Sequence, residues 1–147
     1  MKKLFILLLL AASSLQAQAE TSARTEVLEQ LKSFSSKDLA ADVVIVKEKK
    51  GDELHIDKMF KTLEAANKLI VNDKITGDEE LVKEMERVAL LTFQHDPSQY
   101  AAEIIVPSFQ KDKLTFKKAA KSLSASQSKR IIDSLRNTER AVEGLDG

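Results

Sequence analysis

The chain has 147 residues, of which 43% are hydrophobic and 31% charged, and 23 Lys and Arg residues balance 23 Asp and Glu residues. This balance argues against a dedicated nucleic-acid-binding protein, which usually carries a strong basic excess. The chain contains no cysteine, which excludes disulfides, thiolate metal sites and thiol nucleophiles, so its stability has to come from burial of an aliphatic core.

Residues 1–19 have the pattern of a secretory signal peptide. Two lysines precede an apolar run at 4–12, and residues 17–19 form an A-x-A cleavage site. The run is too short to span a membrane, since a transmembrane helix needs about 20 predominantly apolar residues. We therefore expect cleavage after Ala19, export to the periplasm or the medium, and a mature chain, 20–147, that forms one domain and does not insert into the membrane.

The first part of the mature chain contains one clear helix and one ambiguous segment. Apolar residues at helical spacing predict a short first helix around 27–34. Four consecutive β-branched residues favour a strand in the next segment, and a loop at 49–51 would make a short β-hairpin near 43–56. The same residues also fit a helix over 37–48, and an isolated two-stranded hairpin is marginal in water. We favour the helix and retain the hairpin as the alternative.

Two helices follow with regular apolar stripes. Apolar residues at steps of three and four predict helices over about 57–71 and 77–94. Residues 76–79 (Thr-Gly-Asp-Glu) match a capping box and predict the start of the second helix. The stripes place Leu63 and Met85 in the core.

Further helices are predicted by their end signals. Asp96 and Pro97 are typical of a cap and a first turn, whereas Pro107 should end or kink that helix. A second capping box at 124–127 opens the last helix, whose apolar stripe consists of Ile131, Ile132, Leu135 and Val142. The sequence thus predicts an all-α fold, a small bundle or stack of helical hairpins with about five to six helices.

Residues 123–127 (Leu-Ser-Ala-Ser-Gln) resemble the LTxxQ motif of small, helical periplasmic chaperones. Those proteins are similar in size and cradle unfolded clients, so the resemblance implies a helical chaperone of the periplasm. They carry the motif twice, whereas one copy is present here, and the capping box at 124–127 accounts for the same residues. We assign no family membership from this match.

Charge is distributed unevenly along the chain. Residues 73–110 carry a net charge of −5 and residues 111–140 a net charge of +6. The two stretches either neutralise each other within the fold, or the basic stretch forms a ligand-binding face. Basic residues that share a helix face through spacings of four or seven define this candidate, named here the basic face: Lys117, Lys121, Lys129, Arg136 and Arg140. Its partner would be an acidic protein surface or an anionic component of the cell envelope.

No catalytic, cofactor or metal site is predicted from the sequence. His55 and His95 are 40 residues apart and lie in no metal-binding frame, and helix capping explains the acidic cluster 78–80 better than acid–base chemistry does. Two classes of function are compatible with this pattern. The first is a binding protein, such as an inhibitor, an immunity factor or a chaperone. The alternative is an enzyme whose carboxylates converge only in the tertiary structure.

Overall fold

The computed structural model describes residue 18 and residues 21–146, and all regular structure in this part is helical. The helices are α1 (residues 21–33), α2 (Ser36–Lys47), α3 (His55–Val71), α4 (Glu79–Phe93), α5 (Tyr100–Lys111), α6 (Lys113–Ala120) and α7 (Ala125–Asp146). The predicted all-α class is confirmed for these residues. The predicted signal peptide at 1–19 lies outside the described residues, except for residue 18.

The described residues form seven helices rather than the predicted five to six, because α5 and α6 are separate. Asp112 is the single non-helical residue between them, with φ −144° and ψ 59°. Its side chain caps α6 by accepting from the backbone N–H of Thr115 (3.3 Å). Asp112 also accepts from the backbone N–H of Gly77 (2.7 Å). The break therefore depends partly on a contact with a residue 35 positions away.

The alternative β-hairpin near 43–56 is wrong, and the predicted helix over 37–48 is confirmed as α2. A capping box commits the chain to this helix: the N–H of Ser35 donates to Asp38 Oδ2 (2.7 Å), and the N–H of Lys37 donates to Ser35 Oγ (3.3 Å). Leu39 then anchors the helix in the core, with 1% of its surface exposed. The β-branched residues that follow belong to the same helix, although such residues prefer strands.

The predicted starts of α4 and α5 are shifted. Gly77 adopts φ +74°, outside the helical region, and the next residue, Asp78, is the N-cap of α4 in place of Thr76. The prediction that Asp96 is the N-cap of α5 is wrong, because the helix begins at Tyr100 and Gln99, with φ 57°, is its N-cap. Asp96 and Pro97 belong to the preceding turn, from which Asp96 Oδ2 accepts from the N–H of Tyr100 (2.9 Å).

Pro107 does not end its helix, because α5 continues to Lys111. Proline removes one backbone donor and crowds the preceding turn. Here the N–H of Ser108, the residue after the proline, donates to Asn67 Oδ1 on α3 (3.1 Å). Ser108 Oγ donates to the same oxygen (2.5 Å). A polar side chain of a neighbouring helix thus supports the backbone at the proline.

Helix α4 has the largest share of buried residues among the helices of the described chain. Helices α3, α5, α6 and α7 each contact it, and nine of its 15 residues are buried. Of the aromatic residues, Phe93, Phe109 and Phe116 are buried in the core, whereas Phe60 is half-buried. Phe109 and Phe116 join α5 to α6 through an edge-to-face contact with ring centroids 5.7 Å apart.

Polar contacts join α1 to α4. Arg24 Nε donates to Asp78 Oδ2 (2.5 Å), and this hydrogen bond lowers the pKa of Asp78 below its ordinary value. At the other end of α1, the Arg87 guanidinium donates to the carbonyl oxygens of Leu31 (2.6 Å) and Phe34 (2.8 Å). These carbonyls lie at the end of α1, where a helix leaves its last acceptors without internal partners.

Leu63→Ala and Met85→Ala should each lower the free energy of unfolding by roughly 2 to 5 kcal/mol, because each leaves a cavity in a close-packed core. Both side chains have 0% exposed surface. Urea denaturation measures the effect. Leu114→Ala is the control, since Leu114 is 67% exposed and should change the stability little. Unfolding curves of Leu63→Ala and Met85→Ala that overlay the wild-type curve would contradict the packing described.

Candidate binding surfaces

All five residues of the basic face are exposed to solvent. Two belong to α6, where Lys117 lies in the last turn and Lys121 is the C-cap. The other three, Lys129, Arg136 and Arg140, lie on α7. At 100° per residue, these three point away from the buried side of α7, which carries Ile131 and Leu135. The structure therefore places the α7 part of the basic face on the solvent side of that helix.

The acidic stretch finds most of its ionic partners outside the basic stretch. Glu80 accepts from Lys32 Nζ (2.6 Å) and from Arg24 on α1. Among the described residues, one salt bridge joins the acidic and basic stretches, between Lys118 Nζ and Glu79 Oε1 (3.7 Å). Mutual neutralisation of the two stretches is thus limited to a single long ion pair.

Most of the basic face is unpaired within the described part of the chain. Lys129 forms a salt bridge with Asp133 one turn further along α7. The other four cations make no salt bridge with a described residue. Asp133 also interacts with the charge of Arg136, since both Lys129 and Arg136 lower its pKa.

A second surface, which the sequence did not predict, is an apolar groove beside α2. It has a volume of about 450 Å³ and is lined by Leu39, Asp42, Val43, Val46, Lys47, Leu54, Ile56 and His95. We name it the α2 groove. On and beside it, three valines are strongly exposed: Val43 (55%), Val44 (48%) and Val46 (63%). A helix that is apolar on most sides is normally buried, so this surface is an exception in the fold.

One wall of the α2 groove is held by the carboxylate of Asp42. Asp42 is 7% exposed and accepts from the backbone N–H groups of His55 (2.7 Å) and Ile56 (2.9 Å) at the start of α3. Burial raises the pKa of Asp42, but these N–H groups and the His55 ring outweigh it, and the net pKa is lowered. Since Leu54 at the N-cap position offers no side-chain acceptor, Asp42 caps α3 from another helix.

The two histidines do not converge on a metal centre. His55 Nδ1 lies 2.8 Å from Asp42 Oδ1 and belongs to this capping arrangement. His95 is exposed at the edge of the α2 groove. Within residues 21–146 there is no cluster of His, Asp and Glu side chains suited to hold a metal ion.

Two carboxylates from separate helices line one shallow cleft between α3 and α5. Glu64 and Glu103 line this cleft of about 340 Å³ together with Tyr100. Both glutamates are exposed to solvent. This cleft is therefore the place that best matches the alternative of an enzyme with converging carboxylates. Its carboxyl groups are exposed, however, whereas catalytic carboxyl groups are commonly buried.

Glu86 on α4 is the most unusual titratable group in the described residues. It has 0% exposed surface, and neither carboxyl oxygen has a hydrogen-bond partner there. Burial alone raises its pKa to about 9, so the carboxyl group is neutral at pH 7. A sequence signal existed: Glu86 lies four residues after Val82 and four before Leu90, on a stripe that is otherwise apolar.

The capping box at 124–127 is confirmed. The N–H of Gln127 donates to Ser124 Oγ (3.3 Å), and the N–H of Ser124 donates to Gln127 Oε1 (3.4 Å). Ser124 and Gln127 are two of the residues that resemble the LTxxQ motif. The helix cap accounts for their presence, so no role in binding is needed to explain them.

The chain matches no protein-family model, and no curated protein or solved structure is significantly similar to it. Among the described residues, no helix combines the length and the apolar character needed to cross a membrane.

Glu86 should make the protein less stable as the pH rises. Its pKa is about 9 in the folded state against 4.5 for an ordinary glutamate, so folding retains a proton that the unfolded chain releases. Stability is therefore greatest below about pH 4.5 with respect to this group and falls between that pH and about 9, by up to ~1.4 kcal/mol per pH unit. Glu86→Gln cannot ionise and should remove this slope.

Urea denaturation between pH 6 and 8.5 measures the effect, because ordinary carboxyl groups are already ionised there. Glu86→Gln should be more stable than the wild type at pH 8.5, and the difference should shrink towards pH 6. Glu79→Gln, at an exposed position, is the control and should follow the wild-type profile. Parallel profiles for Glu86→Gln and the wild type would show that Glu86 is not buried as described.

Proposed function

We propose that this is an exported protein that acts by non-covalent binding, in the manner of an inhibitor, an immunity factor or a chaperone, and that the basic face contacts an acidic partner. The observation that carries the proposal is the basic face itself: five exposed cations, four of them without a salt bridge to a described residue. The signal-peptide pattern of residues 1–19 supports export. The partner is an acidic protein surface or an anionic component of the envelope.

Clustered charge of one sign suits such a function. It attracts the opposite charge over roughly the screening length, about 8 Å at 0.15 M salt, and chiefly accelerates association. Asp78 and Glu80 of the acidic stretch pair with α1, whereas Asp133 on α7 offsets part of the charge of Lys129 and Arg136. No catalytic group is needed for this role.

Reversal of Lys121 and Arg136 to Glu should slow association with the captured partner about tenfold or more, and this difference should shrink as the salt concentration rises. The partner is first captured from envelope extract with the mature wild-type protein, and association is then measured at 0.05 M and 0.3 M salt. Thermal stability should stay nearly unchanged, because neither side chain makes a salt bridge with a described residue.

The control is the double reversal Lys58→Glu and Lys83→Glu, which changes the net charge equally at exposed positions on α3 and α4. It should bind nearly as the wild type does. If both double variants bind equally well, the basic face is only a solvated surface. If the Lys121 and Arg136 reversal unfolds the protein, these cations are needed for the fold and not for binding.

Export is tested separately. Protein recovered from the periplasm or the medium should have the intact mass of a chain that starts at Glu20, because the A-x-A site predicts cleavage after Ala19. An Ala17→Asp variant, which disrupts the small residue of the site, should accumulate uncleaved. A wild-type mass that starts at Met1, found in the membrane fraction, would contradict export as a processed protein.

A further inference from the structure

Lysine residues lie outside the helices in three connections of the described chain. In chain order they are Lys49 and Lys50 in the α2–α3 connection (48–54), Lys74 in the α3–α4 connection (72–78) and Lys121 in the α6–α7 connection (121–124). A protease has to bind the backbone around the bond that it cleaves. Access therefore depends on how far that backbone is buried and hydrogen-bonded, and the three connections differ in both respects.

The α3–α4 connection is tied to the fold on both sides of Lys74. The N–H groups of Asp73 and Ile75 donate to carbonyl oxygens in the last turns of α3 (3.3 and 3.2 Å). Ile75 is also partly buried against the core. A protease would have to break these contacts before it could bind the backbone around Lys74.

The α6–α7 connection is a tight turn against α6. The N–H groups of Lys121, Ser122 and Leu123 donate to carbonyl oxygens of residues 118–120 (3.2, 3.0 and 3.1 Å). Leu123 is partly buried against the core. The backbone on either side of Lys121 is therefore engaged as well.

The α2–α3 connection is held by backbone hydrogen bonds only at its beginning. The N–H groups of Glu48, Lys49 and Lys50 donate to carbonyl oxygens of α2 (2.9, 3.3 and 3.1 Å). The N–H groups of residues 51–54 make no hydrogen bond with any part of the described chain. Residues 48–53 are all exposed to solvent. This connection is therefore the most accessible of the three.

The bond between Lys50 and Gly51 is the best placed for cleavage. The N–H of Gly51 is free of hydrogen bonds to described residues, and the space beside its Cα is open. The side chain of Lys50 forms a salt bridge with Glu48 (2.8 Å), and both side chains are half-exposed. Exposed ion pairs of this kind contribute little stability, so the lysine is available to a protease.

The acidic residues of the same connection do not offer an equivalent site. Glu48 is followed by a residue whose N–H is bonded to α2. Asp52 is followed by Glu53, which forms a salt bridge with Lys61 on α3. Glu53 in turn is followed by Leu54, which is half-buried beside the α2 groove. A protease that selects lysine before the cleaved bond fits this connection better than one that selects a carboxylate.

Contacts away from the connection would hold the two products of cleavage together. Arg24 and Arg87 join α1 to α4 through hydrogen bonds. Asp42 of α2 accepts from two N–H groups at the start of α3. Leu31 and Leu39, which belong to the first product, have 0% and 1% of their surface exposed.

We propose that the Lys50–Gly51 bond is a processing site for a protease whose negatively charged specificity pocket selects lysine, and that the two products remain one folded protein. Hydrolysis breaks the bond between the carbonyl carbon of Lys50 and the nitrogen of Gly51. The oxygen of water completes a carboxylate on Lys50, and both of its protons pass to the nitrogen, which becomes an ammonium group. The site lies outside the basic face, so this proposal does not depend on the proposed function.

Limited digestion of the mature protein with trypsin tests the proposal. Intact-mass measurement should show first products that are separated at the Lys50–Gly51 bond. Size-exclusion chromatography without denaturant should keep these products in one peak, whereas denaturing electrophoresis separates them. The double substitution Lys49→Gln and Lys50→Gln removes both lysines of the connection and should slow the loss of intact chain about tenfold or more.

Two control variants locate the cleavage and its mechanism. The matched double substitution Lys74→Gln and Lys121→Gln removes the lysines of the other two connections and should leave the rate unchanged. Leu63→Ala lowers the stability of the fold and should also leave the rate unchanged, because the connection is accessible in the folded protein. Cleavage that required global unfolding would instead be accelerated about tenfold or more by this substitution.

Any of four results would overturn the proposal. The first is a first cut at a bond other than Lys50–Gly51. The second is a rate that the substitutions at Lys49 and Lys50 leave unchanged. The third is strong acceleration by Leu63→Ala, which would show that only the unfolded chain is cleaved. The fourth is separation of the two products without denaturant, because they would then not form one folded protein.

Discussion

The structure depends on the burial of α4 among its neighbours. Nine of its 15 residues are buried, and α3, α5, α6 and α7 contact it. The chain has no cysteine, and no metal cluster occurs in the described residues, so aliphatic packing around this helix carries the stability of that part. Glu86 lies in this same region, and it is compatible with the packing only as long as its carboxyl group stays protonated.

Several polar side chains form hydrogen bonds with backbone groups at the end of a neighbouring helix. Asp42 of α2 caps α3, and Arg87 of α4 supplies donors to the last carbonyls of α1. Asp112, before α6, binds the N–H of Gly77 ahead of α4. Helix ends leave backbone groups without internal partners, so each of these contacts satisfies a helix end and also fixes two helices relative to each other.

Several acidic residues serve the fold itself. Asp42, Asp78 and Asp112 serve as caps, and burial neutralises Glu86. Four of the five cations of the basic face, by contrast, make no salt bridge with a described residue. The proposed contact with an acidic partner relies on these exposed cations.

The sequence alone determined the all-α class, the course of α3 and α4, and the cap of α7, because each follows from interactions within about four residues along the chain. It favoured a helix for α2 but left a β-hairpin as the alternative. The tertiary structure decided where α4 begins, why α5 continues past Pro107, and that residues 43–46 form one side of a groove. These features depend on contacts between distant residues, such as Asp112 with Gly77 and Asn67 with Ser108, 35 and 41 positions apart. The exposure of Val46 and the burial of Glu86 were likewise decided by packing, because local spacing indicates which residues share a helix face but not whether a neighbouring helix covers that face.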